Sequence, residues 1–241
     1  MPMDYMVKVY KQLCREKFSK YGFKNYGNNH YRIINDVFQS FYLHKSVDRM
    51  SCTVEFAVIP ISVGYSIDKS FCQATHLKMF EGNYEWFKYE KDSKESIDVC
   101  IHEMYRYMKL YLMPFFFAGE NCEQAYKAVC QFEKQNCKEG IIYASSETMW
   151  MTLKSKKYDM ALLHLQALKE STLEAYNKNI KAFGEMGNQY YKKIYAYLKS
   201  LNDIEKAIIN GDVEYINKLI NFNEVRNKRN IIGYEKLSKW S

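Results

Sequence analysis

Tyr31-Arg-Ile-Ile34, Val37-Phe-Gln-Ser-Phe-Tyr-Leu-His-Lys45 and Cys52-Thr-Val-Glu-Phe-Ala-Val-Ile-Pro-Ile-Ser-Val63 are three β-type segments in close succession. Asn28-Asn29 and Asn35-Asp36 supply turn chemistry around the first of them, and Asp48-Arg-Met50 links the second to the third. The pattern predicts a short antiparallel meander. In the second segment Val37, Gln39, Phe41, Leu43 and Lys45 share one face, with Phe38, Ser40, Tyr42 and His44 on the other. Neither face is purely polar, so this strand is expected at the centre of the sheet and covered on both sides. Pro60 limits pairing at the end of the third strand.

Around the meander the period changes to that of helices. Met6, Val9, Tyr10, Leu13 and Phe18 recur at helical spacing, Asp4 can cap the start and Gly22 can stop the run. Asp92-Ser-Lys-Glu95 resembles a capping box, followed by Ile97, Ile101, Met104, Met108 and Tyr111 on one face, with Pro114 as the expected stop. From Gly119 onward the chain reads as helix after helix: about 121–138, 146–157, 158–182, 188–200, then a short pair around Gly211. The fold class expected is α+β, an N-terminal antiparallel sheet flanked by helices (1–118) and an all-helical region packed on it (119–241). Segment 65–80 has no clear period, and Tyr84 to Tyr89 suits a fourth strand or a docking loop.

Three prolines and ten glycines are sparse punctuation, which argues for long helices and against low-complexity linkers. The formal net charge of +7 is spread along the chain, with small clusters such as Arg226-Asn-Lys-Arg229. Nucleic-acid binders concentrate their charge on one face, so a nucleic-acid partner is disfavoured. The start lacks a basic segment followed by an apolar run, and the longest apolar run, Leu110 to Ala118, is interrupted by Pro114. A cytoplasmic protein with reduced thiols and no membrane partner is expected.

Cys122, Cys130 and Cys137 share a helix face, but eight residues of helix rise about 12 Å, too far for two thiolates to meet one zinc. Cys72-x3-His76 could pair a thiol with an imidazole if that segment were helical, yet no orienting carboxylate stands nearby in sequence. His164 sits on an apolar helical stripe and reads as a core histidine. No glycine-rich phosphate loop occurs. The sequence therefore nominates no catalytic residue, no metal ligand and no cofactor. Two candidate constellations are left. His44, Lys45 and Glu55 fall on adjacent strands and could line a pocket, with His44 and Glu55 as a base and its orienter. Tyr84, Trp86, Phe87 and Tyr89 form an aromatic group suited to a contact surface or to the core.

Residues 5–117 resemble a bacterial group of proteins, the domain-of-unknown-function family 4304. The resemblance rests on His30-Tyr-Arg32 after Gly22-Phe23, on Phe41-Tyr-Leu-His-Lys-Ser46, on Cys52-Thr-Val-Glu-Phe-Ala57, on Tyr84-Glu-Trp-Phe87 and on Leu112-Met-Pro-Phe115. It implies a helix, an antiparallel meander and a closing helix, and no reaction. The chain departs from the pattern at His44 (Gln is usual), Glu55 (Asn is usual) and Ala57 (Gly is usual). The functional expectation is a non-enzymatic protein-interaction module with a protein partner. The alternative is a small-ligand-binding protein or enzyme with a pocket between sheet and helices. The sequence does not specify an oligomeric state.

Overall fold

The computed structural model describes residues 4–71, 75–82, 85–136, 145–183 and 188–232. The first helix, α1 (Tyr5–Phe18), starts where the Asp4 carboxylate accepts from the Val7 amide and also holds Lys45. Met6, Tyr10, Cys14 and Phe18 recur every four residues and are buried, so the inward stripe is the one the sequence marks. A single 3₁₀ turn, Ser19–Tyr21, leads to Gly22, whose φ of 84° is the left-handed stop that glycine adopts without cost.

The sheet is antiparallel and runs β1 (Lys24–Tyr26), β2 (Asn29–Ile34), β3 (Val37–Lys45), β4 (Ser51–Pro60) and β5 (Thr75–His76), with β6 (Phe87–Lys88) also paired to β4. The β2–β3 turn is made at Asn35, which takes a φ of 50° that asparagine tolerates better than most residues. One face of β3 and β4 carries Val37, Phe41, Leu43, Cys52, Val54, Phe56 and Val58. It packs under α1, α2 (Lys94–Tyr107), α3 (Met113–Ala118) and α4 (Cys122–Asn136). Aromatic edges knit this core: Phe56 meets Phe116 and Phe132, and Phe41 meets Phe18 and Phe23.

The other face carries Phe38, Ala57 and Ile59 beside Tyr31. These join residues of α5 (Ser146–Lys154), α6 (Tyr158–Phe183), α7 (Asn188–Ile209) and α8 (Val213–Ile232), including Trp150, Leu165, Ile204 and Ile220. The result is α+β, with the sheet between two helical layers. From α8, Asn223, Arg226 and Asn227 reach the carbonyls of Ser62, Val63 and Ile61 and clamp the chain as it leaves β4. The basic trio at the end of the chain thus gives Arg226 to a structural clamp.

Two expectations change. The helix does not stop before Pro114. It loosens into a π-helical turn at Met108–Leu112 and resumes with Pro114 in the first turn of α3. The wider turn leaves room for a ring that would otherwise meet the preceding carbonyl, and the first turn needs no amide from proline. The short helical pair around Gly211 is instead two long helices: 188–200 and the segment after it are one continuous α7, and Gly211, at φ 67°, turns into α8. The strands β1, β5 and β6 are too short, at two or three residues, to show a period. Among the described residues no helix is long and apolar enough to cross a membrane.

Candidate functional site

Because opposed residues in an antiparallel ladder project to the same side, one row of side chains can be traced across the sheet. Tyr26 faces Asn29, Asn29 faces Tyr42, Tyr42 faces Glu55 and Glu55 faces His76. His44 and Thr53 form the next pair along the same face. The face is therefore divided. Its apolar end, Phe38, Ala57 and Ile59, lies under the C-terminal helices, and its polar end carries this row.

Fourth in the row, between Tyr42 and His76, sits Glu55, with its side chain 6% exposed. His44 Nδ1 donates to Glu55 Oε1, and His76 Nε2 lies 3.5 Å from the same oxygen. Trp86 sets its ring edgewise against both imidazoles, with centroids 5.0 Å from His44 and 5.3 Å from His76. On its other side His44 stacks on Tyr42 at 5.8 Å. The His44 side chain is 41% exposed and that of His76 18%, so the cluster opens toward solvent on the His44 side.

The arrangement has a definite chemical meaning. A carboxylate that accepts from Nδ1–H fixes the imidazole tautomer and leaves Nε2 as the basic nitrogen. A buried carboxylate needs such partners, since an unpaired charge inside a protein is costly. Nearby, the segment leading to β5 is pinned to the same face: Ser40 Oγ donates to the Phe71 carbonyl at 2.8 Å, and the Asn29 amide donates to the Lys69 carbonyl. Three buried polar atoms of this face, Asn29 Oδ1, Thr53 Oγ1 and His76 Nδ1, have no hydrogen-bond partner. Such atoms are uncommon in folded proteins and mark places where a polar ligand or water can be held.

Of the residues nominated by sequence, the structure brings His44 and Glu55 together and excludes Lys45. One residue along a strand reverses the side. Lys45 therefore faces the opposite direction and pairs with Asp4 at 2.7 Å. The aromatic group is also divided. Phe87 and Tyr89 are buried within the first core, and Trp86 turns to the histidines. Tyr84 lies outside the described residues. Sequence reasoning missed His76 as a partner of Glu55 because it read that histidine against Cys72, which also lies outside the described residues. Residues 75–81 are a strand and a 3₁₀ turn, not the helix that pairing required.

The remaining polar candidates are structural. His164 is buried, with Nε2 3.1 Å from the Tyr126 hydroxyl and Nδ1 3.5 Å from Thr148 Oγ1. Cys122 is buried, and its thiol donates to the Asp36 carbonyl at 3.7 Å. Burial pushes the thiols of Cys14 and Cys122 well above the usual cysteine range, which makes them poor nucleophiles. Among the described residues no group of three or more His, Cys, Asp or Glu side chains is placed to hold a metal ion. No protein-family model, curated protein or solved structure matches the chain, so the functional reading rests on this geometry.

Proposed function

We propose that the chain binds a small polar molecule at the His44–Glu55–His76 cluster, with His44 Nε2 accepting a hydrogen bond or a proton from a hydroxyl or amine of the ligand. One observation carries the reading. A carboxylate buried on the sheet face is flanked by two imidazoles, the more open of which is clamped between Tyr42 and Trp86. An imidazole whose tautomer is fixed by a carboxylate is the arrangement general bases use. The resemblance of residues 5–117 to family 4304 belongs to the same proposal. Two of the three positions where the chain departs from that pattern, His44 and Glu55, are in contact with each other. A cytoplasmic setting belongs to it as well, supported by Cys14, Cys52, Cys100, Cys122 and Cys130 all being free thiols.

The test is a protein-observed NMR screen of small alcohols and amines, with the Trp86 indole and the His44 ring protons as reporters. Compounds that shift both signals in the wild type and leave the Trp86 signal unmoved in H44Q are expected. A screen whose hits bind H44Q as well as the wild type would remove the proposal.

A second reading is a protein-binding module, and one surface favours it. On α8, Tyr215, Phe222 and Val225 lie at helical spacing along the outer side and are exposed, Phe222 by 64%. Exposed aromatic anchors are what protein interfaces use. Affinity capture comparing the wild type with Y215S/F222S tests this. A partner retained equally by both would place the interface elsewhere.

A further inference from the structure

Between the outer strands of the sheet and the last turn of α8 lies a cavity of about 190 Å³, whose lining includes Gly22, Lys24, Tyr31, Ile33, Lys228 and Ile232. Lys24 comes from β1, Tyr31 and Ile33 from β2, and Lys228 and Ile232 stand four residues apart on α8. Arg32 and Asn35 complete the lining, but their donors are engaged elsewhere. The Arg32 guanidinium is committed to Gln39, to the Tyr21 carbonyl and to Glu120, and the Asn35 amide to the Glu120 carbonyl.

The other donors are not committed. Among the described residues neither Lys24 nor Lys228 forms an ion pair, and the Tyr31 hydroxyl has no hydrogen-bond partner although the residue is only 8% exposed. Among the described residues no acidic side chain lines the cavity. Its walls are the Tyr31 ring, Ile33 and Ile232, which offer a hydrated inorganic ion little but suit a hydrocarbon body. The volume is room for about six waters, and an apolar cavity of about 150 Å³ is enough for benzene. Burial raises the Tyr31 phenol, so it stays a donor at neutral pH.

We propose that this cavity binds a small organic carboxylate of single-ring size, its apolar body against Tyr31, Ile33 and Ile232 and its carboxylate held by Lys24, Lys228 and the Tyr31 hydroxyl. The site is separate from the His44–Glu55–His76 cluster. Tyr31 belongs to the Tyr31–Ser40–Ala57 row, and the cavity lies toward the β1 edge and away from β5.

The test uses calorimetric titration of the full chain with three probes: benzoate, benzyl alcohol and inorganic phosphate. Benzoate is expected to bind about tenfold or more tightly than benzyl alcohol, because only the carboxylate meets the ammonium groups. It is also expected to weaken about threefold or more as ionic strength rises from about 0.05 to 0.5 M. K24A, K228A and Y31F should each weaken benzoate by about fivefold, the last without loss of the ring that packs on Phe38. Equal binding of benzoate and benzyl alcohol, phosphate binding as tightly as benzoate, or wild-type affinity in K24A and K228A would each overturn the proposal. The His44 variant H44Q serves as the control, and its benzoate affinity should match the wild type.

Discussion

Lowering the pH from 7 to 5 should cost this protein about 2 kcal/mol of stability through one side chain, His30. The imidazole is 2% exposed, stacked on Phe41 with ring centroids 5.1 Å apart and met edgewise by Tyr10 at 5.6 Å. Its Nε2 has no hydrogen-bond partner. Burial, with a smaller contribution from the Lys11 charge, pulls its pKa down from 6.5 to about 4. The folded ring thus stays neutral across a range in which the unfolded chain accepts a proton. Stability falls as the pH falls wherever the unfolded state binds more protons, so the loss begins below about pH 6.5 and is complete only below about pH 4. The full gap is worth about 3.4 kcal/mol, and by pH 5 about 2 kcal/mol of it is lost. His164, also lowered by burial, acts with the same sign, so a variant must isolate the His30 share. His30→Phe keeps the stack on Phe41 and removes both the titration and the unpartnered nitrogen. Urea unfolding at pH 7 and pH 5 should show H30F losing about 2 kcal/mol less than the wild type over that interval, and gaining about 1 kcal/mol at pH 7. Equal losses in the two proteins would refute the reasoning.

Two further substitutions probe how the halves are joined. Asn227 is fully buried, donates to the carbonyls of Ile61, Val63 and Tyr65 and accepts from the Ile67 amide at 3.2 Å. N227A leaves at least one buried carbonyl and one amide unpartnered, and should cost about 3 kcal/mol by denaturant titration, whereas a loss below about 1 kcal/mol would mean that water replaces the clamp. Gly64 leaves no space for a methyl group, since a Cβ there would meet Trp150 Cζ2 at 3.0 Å and Nε1 at 3.1 Å. Trp150 is itself buried between sheet and helices. G64A should lower stability by about 1–3 kcal/mol and shift Trp150 fluorescence, and an unchanged emission spectrum would show that the indole does not feel the substitution.

The parts of the fold legible in the sequence were those where burial imposes a period. The inward stripe of α1, the alternation in β3 and β4 and the long helix α6 each repeat one chemical choice over ten or more residues or across two strands. What escaped was local or non-periodic. Pro114 reads as a stop because proline removes an amide, and nothing in one dimension reveals that a π-turn four residues earlier absorbs it. The two-residue strands β5 and β6 exist because β4 offers them unpaired backbone, a property of the partner and not of Thr75-His76 or Phe87-Lys88. The site divides in the same way. His44 and Glu55 could be brought near each other by alternation and a hairpin. His76 enters the row only through a pairing between residues twenty-one apart.

The stability of that row separates a binding role from a structural one. A carboxylate and two imidazoles clustered on a sheet face are a costly way to fill space, because a well-packed apolar set of similar volume is often as stable or more so. E55A removes the shared acceptor while leaving His44 and His76 in place, and should cost about 2–3 kcal/mol. The triple substitution H44F/E55L/H76F removes the carboxylate and both imidazoles together and keeps rings for Trp86 and Tyr42 to pack on. If the row is kept for binding, the triple variant should be at least as stable as the wild type while losing every NMR hit that shifts Trp86. Residues retained for function at the expense of stability behave in this way. If the triple variant instead falls as far as E55A or further, the row is a structural network in its own right, and the ligand reading loses its main support.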